Sequence, residues 1–422
     1  MTKTTPNDSW TSLLGLLLGL AVVVTALGTL VGWALPLVFG CVVVIVMLHE
    51  FGHYITAKRS GMLVTDFFVG FGPVLWSATF GDTRYGVRAL LLGGYVKVPG
   101  MTWGEPMAPA LEARTYRSAS FPRKVIFASA GSFMHILIAL TLAWASLVFV
   151  GVPHPKQIVI GGFEVWQGYP TNVAQQAGLH VGDRLLSIDH VPITSLDRAI
   201  AAIRTHASVS LPVVVSRQGR ELTLQVTPVD GRTLRVGGQP LATGNAPQGF
   251  IGVQLQPAIA GTGWASAIPQ SFTTVARTIA QSASALVHVF SPSSVSSLAH
   301  QLTSPAAANA QRNQVTRPMS IVGVVRIADQ AATSNIAALL LILVNLNIFI
   351  GLFNMVPMLP LDGGYVAIAT YERLRRRSRT EPYKADINKL APVVYTFVAA
   401  LGLLFLSTLY LDVVHPLANP FH

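Results

Sequence analysis

The sequence predicts a polytopic α-helical membrane protein of about five spans, with a membrane-associated β-hairpin region and one extracytoplasmic α+β domain. Three observations predict it. The 422 residues are 51% hydrophobic and only 11% charged, with a mean hydropathy of +0.52, whereas soluble proteins carry about 25% charged residues. Apolar stretches at 11–33, 35–57, 125–150, 336–358 and 391–411 each approach or exceed the roughly 20 residues that a bilayer crossing takes. The middle of the chain, about 151–330, is polar and long enough for a soluble domain.

The first stretch has the length of a signal peptide, but only Lys3 precedes it and "LGTLVGWALPL" offers no small-residue cleavage site. It therefore reads as a retained helix. The single cysteine, Cys41, lies inside the second stretch, so no disulfide framework is expected. Positive charge gathers in two loops. Arg59, Arg84, Arg88, Lys97, Arg114, Arg117, Arg123 and Lys124 lie between the second and third stretches; Arg373, Arg375, Arg376, Arg377, Arg379, Lys384 and Lys389 lie between the fourth and fifth. Positive loops stay on the cytoplasmic side, which puts 151–330 outside. That pattern accounts for the net charge of +11 without a nucleic-acid partner.

Between the second and third spans, "FFVGFGPVLW" and "FGDTRYGVRALLLGGYVKV" are short β-prone runs punctuated by glycine, which predicts hairpins; their aromatics suit a membrane interface. In the outside segment, residues 158–230 read as one small α+β domain. "NVAQQAGLHVGDRLLSIDHVPI" alternates short helix, turn and strand, "SLDRAIAAIR" follows with Ser195 as N-cap, and "LPVVVSRQGRELTLQVTPV" is two strands joined at Gln218-Gly219. Residues 264–302 carry an amphipathic helical pattern. "RPMSIVGVV" reads as a strand or re-entrant segment before the fourth span.

The chemistry sits where the chain is most apolar. "CVVVIVMLHEFGH" ends the second stretch with His49, Glu50 and His53. His49 and His53 are four residues apart, so on a helix their imidazoles project from one face and can meet one tetrahedral Zn²⁺. Glu50 is placed to take a proton from water rather than to ligate. In a soluble helix the same pattern would read as surface residues. At about 13 Å inside the cytosolic edge marked by Lys58-Arg59, an unpaired carboxylate is costly and marks function. A catalytic zinc needs a third protein ligand. Asp362, in "NLNIFIGLFNMVPMLPLDGGYVAIA", is the sole carboxylate between Asp329 and Glu372. It follows Pro357 and Pro360, which break the helix, and irregular backbone at this depth survives only inside protein or beside water. Asp362 could also act as an N-cap, and the two roles are compatible. Asn347 and Asn354, seven apart on one face, could bind a substrate backbone or an oxyanion, or bond between helices.

Together "HEFGH" and "NMVPMLPLDGG" resemble the site-2 protease family of intramembrane zinc metalloproteases, and in particular the actinobacterial regulated intramembrane proteases that cut anti-sigma factors. "FFVGFGP" with "YGVRALLLGGYVKVPGM" is similar to the family's membrane-associated β-region, the outside domain to a PDZ domain, and "RPMSIVGVV" to a segment ahead of the aspartate span. The resemblance implies that His49, His53 and Asp362 bind zinc and that Glu50 is the general base. It implies that a strand-adding clamp for unwound substrate lies near residues 85–98, with Gly93, Gly94 and Tyr95 as substrate-binding candidates, beside Asn354 and Asn347. "VIGGF" at 159–163 is the candidate carboxylate-binding loop of the PDZ-like domain. The implied partners are a single-pass membrane substrate (an anti-sigma factor or a signal-peptide remnant) and an upstream site-1-type protease, at the plasma membrane.

One departure stands out: where the family has Ala-Gly-Pro-x-x-Asn, this chain reads "SAGSFMHI", with Ser132 and His135 in place of proline and asparagine. His135 is expected to take over an interhelical hydrogen bond rather than add a fourth ligand. The organisation expected is an additional transmembrane helix (1–34), the first part of a catalytic membrane domain (35–150), the PDZ-like domain (151–235), an extracytoplasmic linker and amphipathic segment (236–330), and the second part of the membrane domain (331–422). Two other readings remain open at sequence level, a zinc-binding membrane transporter and a non-catalytic PDZ scaffold. Few further polar groups in the spans favour the first, and the intact Glu50 argues against the second.

Overall fold

The computed structural model describes residues 6–101, 105–164, 166, 172–236, 239–242, 246–310, 317–334, 336–375, 385 and 387–417. The chain divides into two compact units, one of Met1–Ser146 with Ala265–His422 and one of Leu147–Trp264. Among the described residues four helices are long and apolar enough to cross a membrane: Leu35–Arg59, Phe121–Val150, Ile336–Asn354 and Ala391–Val414. The N-terminal stretch is helical over α1 (Pro6–Val31), of which Leu17–Thr29 forms a shorter apolar segment.

In the first unit, α2 (Ala34–Arg59) ends on Lys58 and Arg59, which favourably face its C-terminal dipole. Two long strands follow, β1 (Asp66–Phe80) and β2 (Thr83–Lys97). Instead of several small hairpins they make one, folded back on itself. Gly70 and Gly72 take φ of +85° and +83°, which only glycine adopts freely, and they bend β1 into two arms. Val74–Phe80 pairs back onto Arg88–Thr83, while Asp66–Val69 pairs with Lys97–Gly94 and also lies opposite Arg84–Val87. The Gly94–Lys97 run thus has a strand partner on one side.

The span α3 (Phe121–Ala145) starts with Pro122 in its first turn, where a missing N–H costs nothing, and continues as a π-helical turn to Val150. Its buried residues are Lys124, Phe127, Ala128, Ala130, Gly131, Ser132, His135, Ala139 and Ala143, and Lys124, Phe127, Gly131, His135, Ala139 and Ala143 form a stripe at three- and four-residue spacing.

The second unit is a sheet with two helices. Its elements in order are β3 (Val152–Phe163), α4 (Val173–Gln176), β4 (Arg184–Ile188), β5 (Val191–Pro192), α5 (Leu196–Arg204), β6 (Leu211–Arg217) and β7 (Arg220–Val226). Four two-residue strands follow: β8 (Val229–Asp230), β9 (Arg235–Val236), β10 (Gln239–Pro240) and β11 (Gly249–Phe250), β8 pairing with β11 and β9 with β10. β12 (Val253–Ala260) closes the sheet in the order β12-β3-β4-β6-β7, with β5 on β4. The core is Ile158, Ile160, Leu179, Leu185, Ile188, Leu211, Val213 and Val215, with Ile251 from beyond residue 235. The domain therefore outruns the expected boundary at 235, because β12 pairs with β3 along its length. "VIGGF" is likewise strand and not loop: Val159 to Phe163 pair with β12.

From Ala265 the chain returns to the first unit. α6 (Ala267–Val289) carries the amphipathic pattern read from sequence, yet it is not a linker: Val275 packs with Ala139, Ala143, Val344 and Ile348. α7 (Pro292–Thr303) and α8 (Pro305–Ala310) lead to α9 (Ile321–Ser334). α9 begins inside "RPMSIVGVV", which is helix from Ile321 onward rather than strand, because Ala328 and Ala331 bury a helical face against Val38, Leu339 and Leu343. α10 (Ile336–Asn354), α11 (Asp362–Arg375) and α12 (Ala391–Val414) complete the chain. Arg376, Arg377, Arg379 and Lys384 of the second basic loop lie outside the described residues.

Candidate metal centre

His49 and His53 face the same way from α2 and are both buried, at 7% and 6% exposure. The Nδ1 of His53 lies 2.8 Å from the carbonyl oxygen of Phe127 on α3. A carbonyl only accepts, so Nδ1 carries a proton, and the neutral ring keeps its lone pair on Nε2. That Nε2 is 3.2 Å from the Nε2 of His49 and 3.2 Å from Oδ2 of Asp362. His49 Nε2 and Asp362 Oδ2 are 3.5 Å apart.

These three atoms therefore form a nearly equilateral triangle of lone pairs. Tetrahedral Zn²⁺ with bonds of about 2.0–2.1 Å sets its ligand atoms about 3.3–3.4 Å apart, which the observed edges match. Asp362 Oδ2 and His49 Nδ1 are buried and lack a hydrogen-bond partner among the described residues. Three acceptors turned toward one another repel unless a cation sits between them. The residues fit a zinc ion, and His49, His53 and Asp362 are the one such group among the described residues.

Asp362 reaches the triangle because the chain turns sharply after α10. Gly363 and Gly364 lie against the backbone of Met355, Met358 and Leu359, where an added Cβ would collide. The start of α11 is thus wedged under the turn, with Asp362 as its first residue. On α3, Gly131 does the same for the histidines. A Cβ there would fall 2.5 Å from His49 Nδ1 and His53 Nε2.

Glu50, on the same helix as the histidines, lies against β2. A Cβ on Gly94 would come within 3.1 Å of Glu50 Cγ and 3.0 Å of the Phe68 carbonyl, so glycine lets the strand edge approach the carboxylate. The backbone N–H of Val96 faces that carboxylate as well. Tyr95 stacks on Phe68 at 5.6 Å and on Phe71 at 6.4 Å, and its hydroxyl accepts from Arg88 Nη2 at 2.8 Å. Gly93 leaves room for Phe71, whose ring would lie 2.7 Å from a Cβ.

The other sequence candidates separate. Asn354 is half-buried at the last residue of α10. Asn347 is fully buried, and its amide oxygen is bonded to Nδ1 of His135; of its two sequence readings, the interhelical bond is the one formed. His135 packs 5.0 Å from the His49 ring and is outside the ligand group. Sequence reasoning passed over Gly131, the Phe127 carbonyl and Lys124. The available signal was their helical spacing with His135, which puts all of them on one stripe of α3.

A model of Peptidase family M50 matches residues 37–399. The zinc metalloprotease Rip1 of Mycobacterium tuberculosis is 33% identical over 401 residues, covering 89% of this chain and 96% of that protein. The protein of the same name from Mycolicibacterium smegmatis is 28% identical over 402 residues, with the same coverage of 89% and 96%.

Proposed function

The chain belongs to peptidase family M50 and is a site-2-type zinc metalloprotease of the membrane, and from that premise we propose which of its residues cut, and what. His49, His53 and Asp362 hold the zinc, Glu50 is the general base, and the substrate is a transmembrane segment of a single-pass protein. The observation that carries this reading is the convergence of His49, His53 and Asp362, with Glu50 on the histidines' helix and against a strand run that has one pairing partner among the described residues.

Bound by these three residues, zinc would supply Lewis-acid polarisation of the scissile carbonyl and would make water acidic enough to attack at neutral pH. The work of the chain is the rest. A transmembrane helix hides its carbonyls in its own hydrogen bonds, so it must unwind before it can be cut. The Gly94–Lys97 run offers an edge on which an unwound segment adds as a strand, regaining backbone hydrogen bonds; Gly93, Gly94 and Tyr95 lie on or beside that edge. Glu50 takes the proton from the attacking water at its carboxylate and returns it to the nitrogen of the leaving amine. Asn354 contacts the substrate from the end of α10. Asn347 acts through His135.

The natural substrates are of the anti-sigma-factor or signal-peptide-remnant type, trimmed beforehand by a site-1-type protease. The protein sits in the plasma membrane with both basic loops cytoplasmic. The Leu147–Trp264 unit is outside and PDZ-like, and α1 is a fifth, additional span. Mass spectrometry of products from a single-span substrate in detergent tests the reading. Cuts are expected inside the apolar segment, and only after its ectodomain has been shortened; cuts confined to exposed loops would sink it.

A further inference from the structure

The two histidines share a helix, and α3 fixes both of them. Asp362 arrives on a separate helix, so the triangle closes only if α11 keeps its register along α3. A productive metal site tolerates errors of about 0.5 Å. Packing holds the first two turns of α11: Gly363, Gly364 and Ala369 are buried, and Tyr365 and Val366 pack, partly buried, against the cluster that contains Tyr116, Phe127 and Ala128. Beyond Ala369 no residue of the helix is buried, so packing alone does little to hold its far end.

The other end of α11 carries a directional contact. Glu372 Oε2 accepts from Lys124 Nζ at 2.8 Å, with side-chain exposures of 16% and 10%. Its second oxygen, Oε1, accepts from the backbone N–H of Ala385 at 3.0 Å. The Lys124 ammonium also lies 5.4 Å from the centre of the Tyr116 ring, and Tyr116 meets Tyr365, one turn after Asp362, edge to face at 6.0 Å. Burial first, and the Glu372 charge second, push the Tyr116 phenol above its usual range. Lys124 lies on the same α3 stripe as Phe127, which orients His53, and Gly131, which seats both rings.

Burying an ion pair is a poor way to gain stability, since apolar residues of the same volume do as well or better; what such a pair can supply is register. We propose that the Lys124–Glu372 pair is the positioning device for Asp362, locking α11 along α3 so that the third ligand atom meets the two imidazoles. The inference rests on Asp362 being a zinc ligand.

The test uses the full-length protein in detergent and reads two quantities: zinc affinity by chelator competition, and the melting temperature of the zinc-free form. In Lys124→Met with Glu372→Met no charge is left unpaired. Zinc affinity is expected to fall ~10-fold or more, the scale of losing an outer-shell partner, while the zinc-free melting temperature holds or rises. Should that variant not fold, Glu372→Asp, which withdraws the carboxylate by one methylene, is read the same way. The charge swap Lys124→Glu with Glu372→Lys is expected to recover most of the lost affinity. Wild-type zinc affinity in the apolar variant, or a fall in zinc-free stability with affinity unchanged, overturns the proposal. Asp362→Ala separates the two claims: if it binds zinc like wild type, the ligand assignment itself has failed. If it loses zinc while the pair variants keep it, only the positioning role has failed.

Discussion

A single methyl group at Gly131 would overlap both imidazoles, and that gives the sharpest residue-scale expectation. Gly131→Ala should lower zinc affinity by ~10-fold or more, measured as metal retained after dialysis against a chelator, with helical content unchanged. Glu50→Gln should do the reverse. It keeps the zinc at wild-type stoichiometry and lowers kcat by about 10²- to 10⁴-fold, the range for losing a general base. The residues these variants test were unequally legible in sequence. His49, Glu50 and His53 could be read because helical spacing alone puts them together, and Asp362 because a lone carboxylate just after two helix-breaking prolines is conspicuous in an apolar run. Gly131 and the Phe127 carbonyl offered only their helical spacing with His135, and Glu372 offered no local signal, since each acts through a contact with a segment remote in sequence. Phe127 bonds a residue 74 positions away and Glu372 one that is 248 positions away; no local pattern encodes such partners.

At the scale of elements, α3 holds the centre without contributing a ligand. The spans were legible because about 20 apolar residues in a row have few alternatives. The errors fell on elements whose fate depends on neighbours. β12 is short, contains Pro257 and lies in a stretch rich in Gly, Pro and Ala, so it reads as linker in the sequence, and β3 supplies its partner in the fold. "SIVGVV", at the start of α9, reads in the sequence as a strand or a re-entrant segment because it is rich in β-branched residues, but Ala328 and Ala331 give the helix a face to bury. α6 is amphipathic enough to lie on a surface, and its polar Ser271, Thr278 and Ser282 are buried all the same.

In the Leu147–Trp264 unit the turn before β4 depends on Asp183, which is fully buried and bonded by Arg217 Nε at 2.8 Å and Nη2 at 2.7 Å and by the His180 amide at 2.9 Å. Burial alone would raise its pKa, but the Arg217 bond and the His180 amide outweigh it and hold the carboxyl below its usual range. A carboxyl whose folded pKa lies below its unfolded value of about 3.9 stabilises the fold above that pH. The stability is lost as pH falls through the folded pKa. Asp183→Asn should therefore destabilise the unit at neutral pH, and the cost should shrink as the pH falls through the folded pKa, as read by chemical denaturation of this unit's signal in the full chain.

At the scale of the whole molecule, the proposed topology follows from charge: basic loops inside, the Leu147–Trp264 unit outside. With Cys41 replaced by alanine, a cysteine at Val209, an exposed position in that unit, should react with a membrane-impermeant maleimide on intact cells. A cysteine at Arg123, exposed at the start of α3, should react only after lysis; the opposite pattern would invert the topology. This orientation places the Lys58-Arg59 edge in the cytosol and the metal centre about 13 Å within the membrane from it, so a substrate must be cut where its helix is otherwise closed. The most direct measurement is cleavage of a tagged, pre-trimmed single-span substrate in micelles by wild type and Glu50→Ala, each shown beforehand to carry one zinc. Cleavage by wild type alone, inside the apolar segment, is the predicted result. Equal cleavage by both proteins would contradict Glu50 as the base, and no cleavage by a zinc-loaded wild type would contradict the proposed reaction.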